Sequence, residues 1–233
     1  MQLNVSGVVL SAVLTFGVAG SAAEPLRPPA DGRSIRVAVV LTEHATMIDF
    51  AGPWEVFQDV QVRGRRMPFA LYTVSDTREP IRVSVGMTVV PDHTFQDAPP
   101  PDVIVVGAQA GRSTEMLAWL RAQAARVDVL MSVCTGVAKL AAAGLLDGKP
   151  AATHHDFVER FNTRYPQVRF LPGKRFVQSG ATILTAGGLT SGIDAALHVV
   201  ERYFGADVAA QTAVYMEYER HSAAPATGGS SGP

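Results

Sequence analysis

The chain has 233 residues, room for one domain or at most two. Hydrophobic residues make up 47% and charged residues 18%, with a net charge of −1, which excludes a disordered chain and lacks the basic excess of a nucleic-acid binder. Cysteine occurs once, at Cys134, which excludes an internal disulfide and any multi-cysteine zinc site.

Val8 to Gly20 is a mostly apolar run. As a helix it reaches about 20 Å, short of a hydrocarbon core of about 30 Å, so a stable membrane anchor is not expected. Ser21-Ala22-Ala23 has the small-x-small pattern of a secretory cleavage site. Residues 1–23 are therefore expected to be a signal peptide and the mature protein to be exported, to the periplasm. No Lys or Arg precedes the run, so a hydrophobic extension or a misassigned start is the alternative. Residues 24–33, with Pro25, Pro28, Pro29 and Gly32, read as a linker. The folded domain is expected over 34–221, and the Gly/Ser/Ala/Pro-rich tail over 222–233 as disordered.

Ile35 to Leu41 is β-branched, the pattern of a buried strand. Helical spacing follows from about Gly52 to Val62. Phe69 to Ser75 reads as a strand, and Arg82 to Val90 as a strand or hairpin at a sheet edge. Ala98 to Asp102 is a loop, Val103 to Val106 a buried strand ending in Gly107, and Thr114 to Ala125 an amphipathic helix. Val129 to Val133 is a strand that runs into Cys134-Thr135-Gly136, and Val137 to Ala143 is helical. A short strand over Ala151 to His154 precedes a helix over Phe157 to Arg164. Phe170 to Val177 and Thr182 to Thr185 read as strands, and helices over Thr190 to Phe204 and Asp207 to Glu219 close the domain. The alternation implies an α/β fold with a largely parallel sheet between helices. Ligands bind such sheets beyond the strands' carboxyl ends, here after Leu41, at Gly107 to Gly111 and at Cys134 to Gly136.

Cys134 sits where a strand turns into a helix. The free N–H groups and partial positive charge of a helix start stabilise an anion, so a lowered thiol pKa is expected. Gly136 allows a tight fold or close approach to substrate. The alternative is a small buried core cysteine.

Ser132-Val-Cys134-Thr-Gly136, Leu140 to Gly148, Ala152-Thr-His154, Thr185 to His198 and Ile48-Asp49-Phe-Ala-Gly-Pro53 together resemble the ThiJ/PfpI superfamily over about Ile35 to Glu219. The resemblance implies a flavodoxin-like three-layer sandwich, a nucleophile-elbow cysteine and a homodimer. Asp49 in Asp-x-x-Gly-Pro looks like the isonitrile hydratase branch and like ligand-sensing domains of related regulators. It is the expected acid/base partner of Cys134, or else the cap of a helix starting near Gly52. The resemblance selects His154 as a catalytic or thiol-orienting group, against a structural hydrogen-bonding role. His155, with its side chain on the opposite face if the segment is a strand, stands where Trp is usual. Thr135 and the Gly107-Ala108 amides are expected to form an oxyanion hole, although Ala108 replaces one of the paired glycines common there. Gly107, Ala108 and Gly136 are the expected substrate-binding positions. Gly187, Gly188 and Gly192 do not form a dinucleotide fingerprint. Trp54 and Phe57 are either pocket wall or core.

The leading expectation is a cysteine-dependent enzyme similar to isonitrile hydratases, with no metal and no organic cofactor. Glyoxalase-, deglycase- or amidase-like chemistry is the second. A ligand-sensing domain or a redox stress protein oxidised at Cys134 is the third. The expected partners are a small-molecule substrate and a second copy of the chain. Nucleic acid is not expected, because no helix-turn-helix segment follows Glu219.

Overall fold

The inner strands of the seven-stranded central sheet are near-continuous apolar runs, such as Val103–Val106, that can be buried on both faces. The structure is a computed structural model that describes residues 24–221; the expected leader and tail lie outside them. The strands are β1 (Ile35–Val40), β2 (Phe69–Ser75), β3 (Ile81–Arg82), β4 (Thr88–Val89), β5 (His93–Thr94), β6 (Val103–Val106), β7 (Val129–Ser132), β8 (Pro150–Ala151), β9 (Arg169–Phe170), β10 (Phe176–Gln178) and β11 (Ile183–Ala186). The helices are α1 (Met47–Gln58), α2 (Thr114–Ala124), α3 (Val137–Ala142), α4 (Val158–Arg164), α5 (Ser191–Phe204) and α6 (Ala206–Tyr215). The sheet order is β10-β11-β7-β6-β1-β2-β5, parallel throughout except for β10.

Successive residues of β1 divide between two cores. Val37 and Val39 face α1, α5 and α6, where Val56, Phe57, Leu197 and Ala213 pack. Ala38 and Val40 face α2, α3 and α4, with Met116, Leu120, Leu140 and Phe161. The result is a three-layer α/β sandwich. Burial of each such aliphatic side chain contributes roughly 1.5–3 kcal/mol. Leu26 N–H donates to the Arg202 carbonyl, so the segment ahead of β1 touches α5.

Several local expectations need correction. The Arg82–Val90 hairpin exists, but β3 and β4 form a separate two-stranded ribbon off the main sheet. The strand expected through His154 ends at Ala151, because its partner β9 is itself only two residues long. α1 begins at Met47, five residues before Gly52, and so takes Asp49 into its first turn. Its N-cap is Thr46, whose side chain makes no capping bond.

Candidate functional site

The parallel registers bring four strand ends to one edge: Val40 pairs with Val106, Val106 with Ser132, and Ser132 with Thr185. The segments just beyond β6, β7 and β11 carry Gly107, Cys134 and Gly187. At Cys134 the backbone enters the left-handed region, φ 59°, which costs a non-glycine residue on the order of 1–3 kcal/mol. Neighbouring bonds hold it there. Cys134 N–H donates to the Gly187 carbonyl at 2.8 Å, and its own carbonyl accepts from Thr153 Oγ1 at 3.2 Å. Gly136 completes the turn: a Cβ there would lie 2.1 Å from the Val106 carbonyl oxygen. Its missing side chain therefore serves the tight fold, the first of its two expected roles.

Asp49 reaches the cysteine through the packing of α1. Gly52 lets Ile193 of α5 approach to 3.0 Å from where a Cβ would stand, and Gly107 does the same for Asp49 Cβ at 2.9 Å. These contacts account for the glycine in Asp-x-x-Gly-Pro. Asp49 is 0% exposed, and its Oδ2 accepts from Ala108 N–H at 2.9 Å. The carboxylate thus ties α1 to the end of β6 rather than capping its own helix. That bond also corrects the expected oxyanion hole, because the Ala108 N–H is spent on Asp49. The amides that face the sulfur are those of Thr135 and Leu189. Leu189 lies in the loop between β11 and α5 with φ 51° and is not among the site residues expected from the sequence. The only sequence signal for it is the glycine pair Gly187-Gly188 beside it.

The expected low thiol pKa is also corrected. Burial pushes the Cys134 thiol up to about 11, and the Asp49 charge adds to the rise against the Thr135 and Leu189 amides. The anion-stabilising helix is weak here, because α3 has only six residues and begins after a 3₁₀ turn. Burial likewise raises Asp49 to about 6, against the Ala108 N–H, the Cys134 side chain, the Leu189 N–H and nearby His154. Burial thus pushes both groups toward their neutral forms, and the two face each other in the site. Asp49 Oδ1 is buried with no hydrogen-bond partner among the described residues.

His154 borders the site without a hydrogen bond to Cys134 or Asp49 in the described structure. Its Nδ1 accepts from Asp156 N–H at 3.3 Å, so Nε2 carries the ring proton in the neutral tautomer. Its ring fills the space that a Gly188 side chain would need, with Cδ2 2.3 Å from that Cβ position. His154 and His155 do not diverge as strand neighbours would. The strand has already ended, and their rings stack at 4.3 Å. His154, His155 and Asp156 each bring a ligand atom within 4.8 Å of the others. Two of the three are exposed and His154 Nδ1 already accepts a hydrogen bond, so the trio is poorly prepared to hold a metal ion. Phe57 is buried against Phe69 and Trp54 packs beside the same core; neither lines the site.

The open space lies on the His154 side. A cleft of about 350 Å³ is lined by Thr153, His154, His155, Gly173, Lys174, Arg175 and residues 187–191. Its Gly187–Leu189 edge is the loop that contacts Cys134. Arg175 is fixed there by Asp194, which is 0% exposed and accepts from Arg175 Nε at 2.7 Å. Asp194 is therefore a positioning residue that anchors the 171–175 turn to α5. Among the described residues no helix is long and apolar enough to cross a membrane.

The sequence is 33% identical to an isonitrile hydratase of Pseudomonas putida over 196 residues, covering 79% of each chain. It is 28% identical to the HTH-type transcriptional regulator GbdR of Pseudomonas aeruginosa, covering 83% of this chain but only 53% of the regulator. The fold superposes on a crystal structure of a ThiJ/PfpI family protein from Pseudomonas syringae with a TM-score of 0.67 at 24% identity, covering 94% of this chain and 86% of that one. Residues 35–202 match the model of the DJ-1/PfpI family. With that match across the sandwich and the cysteine at its strand-to-helix turn, the chain belongs to the DJ-1/PfpI family.

Proposed function

We infer that the protein is a cysteine-dependent hydratase that converts an isonitrile to an N-formamide. The observation that carries this reading is the fully buried Asp49 carboxyl group facing the Cys134 thiol, with its Oδ1 unpartnered. The similarity to an isonitrile hydratase supports it. In the proposed reaction, Asp49 takes the thiol proton as Sγ bonds to the terminal carbon of R–N≡C. The proton passes to that carbon and leaves the thioformimidate R–N=CH–S–Cys134. Water then adds to the same carbon. Asp49 relays one proton of that water to nitrogen, and as the C–S bond breaks the new hydroxyl proton passes through Asp49 to sulfur, so that R–NH–CHO leaves with the thiol restored. The Thr135 and Leu189 amides face the sulfur, which gains negative charge as the C–S bond breaks. His154 would position substrate from the cleft wall. In the same reading the protein acts as an exported homodimer.

The similarity to a transcriptional regulator favours a second reading, in which the same pocket binds a ligand without turnover. Formamide production from an alkyl isonitrile separates the two. Wild type is expected to turn it over, while Cys134→Ser and Asp49→Asn are expected to fold and not to. No turnover by wild type, or full turnover by Cys134→Ser, refutes the hydratase mechanism.

A further inference from the structure

The cleft beside the cysteine has an unbalanced charge. Lys174 and Arg175 line it, and no acidic side chain does. Arg175 is already neutralised by buried Asp194. Lys174 has no carboxylate within 4.0 Å among the described residues. Lys174 is therefore the cleft cation with no carboxylate partner among the described residues, and the volume suits a small organic molecule. The loop at the cleft's edge also touches the nucleophile, through the Gly187 carbonyl and the Leu189 amide.

We propose that this cleft is a carboxylate subsite, in which Lys174 binds the anionic end of a substrate whose electrophilic carbon reaches Cys134. A single unpaired cation matches a monoanion, and it would leave a phosphate dianion half-compensated. The proposal rests on the nucleophilic reading of Cys134 and narrows the substrate class to carboxylate-bearing electrophiles.

The test uses the lone thiol of the chain, so that labelling is unambiguous. Iodoacetate and iodoacetamide alkylate it by the same displacement. The Sγ–CH₂ bond forms, the C–I bond breaks, iodide leaves and the thiol proton goes to solvent. The ratio of the iodoacetate to the iodoacetamide rate constant is expected to be about fivefold higher in wild type than in Lys174→Gln. It should be kept in Lys174→Arg and reduced by salt. Acetate should protect Cys134 at lower concentration than inorganic phosphate. An equal ratio in wild type and Lys174→Gln overturns the subsite. So does phosphate protecting better than acetate, or failure of both reagents to reach the thiol. Hydration of isocyanoacetate and of its methyl ester keeps this result apart from the hydratase reading. Anion-selective alkylation with neither isonitrile hydrated leaves the subsite standing and the hydratase refuted. Equal hydration of both with an unselective thiol does the reverse.

Discussion

Replacing Asp49 by Asn is expected to stabilise the protein while removing its chemistry. The carboxyl group is fully buried, and burial raises its pKa from 3.8 to about 6. The folded state therefore binds this proton more tightly than the unfolded chain does. The sign follows from linkage: between about pH 4 and about pH 6 the native state holds more protons, so stability falls as pH rises through that window. At roughly 1.4 kcal/mol per tenfold change in proton affinity, the ionised group costs about 3 kcal/mol above pH 6. An asparagine carries no charge, and its oxygen can still accept the Ala108 N–H. Its amide turns a donor toward the Leu189 N–H, which offsets about 1 kcal/mol. The net expectation is a gain of about 2 kcal/mol near pH 8 that fades toward pH 4. Urea unfolding of both proteins across that range measures it. A variant less stable than wild type at pH 8, or a difference that does not change with pH, refutes the claim that Asp49 is ionised in the resting site at an energetic cost.

The same substitution should move the cysteine. Loss of the Asp49 charge removes one cause of the raised thiol, so the alkylation inflection of Asp49→Asn should fall below about 11; an unchanged inflection refutes the contact. Gly136→Ala and Gly188→Ala should differ sharply. The first drives a Cβ to 2.1 Å from a backbone carbonyl oxygen that cannot yield, and should destabilise by about 3 kcal/mol or more. The second meets only the His154 ring, which can swing, so the fold should survive with altered KM; equal melting losses in the two would contradict this. Asp194→Asn should cost about 2 kcal/mol in urea unfolding. A fully buried pair would lose about 3–5 kcal/mol, and the half-exposed guanidinium can recover solvation. The variant should also weaken ligand binding in the cleft, because the turn bearing Lys174 and Arg175 loses its anchor.

Much of the fold was legible because its signals are local. A β-branched run such as Val103–Val106 admits few alternatives to a buried strand, and a lone cysteine between such a run and an Ala-rich helix marks the strand-to-helix turn. The short strands were not legible. β8 and β9 are held by pairing with each other, which no window of sequence contains. Strand periodicity misplaces His154 and His155 for that reason, because β8 has already ended at Ala151.

Sequence alone determined the family motifs, the identity of the thiol and the carboxylate that meets it, and the absence of any internal disulfide. Only the tertiary structure decided which way the thiol and the carboxyl group shift. A helix start next to Cys134 argues for a thiolate, but α3 is short and the sulfur is buried beside an anion, so desolvation and repulsion outweigh the helix field. It also decided which amides face the sulfur. Ala108 is consumed by Asp49 and Leu189 takes its place, a trade between a helix turn and two loops far apart in the chain. Hydrogen-bond partners and burial are properties of packed neighbours, and a residue's own stretch of sequence does not record them.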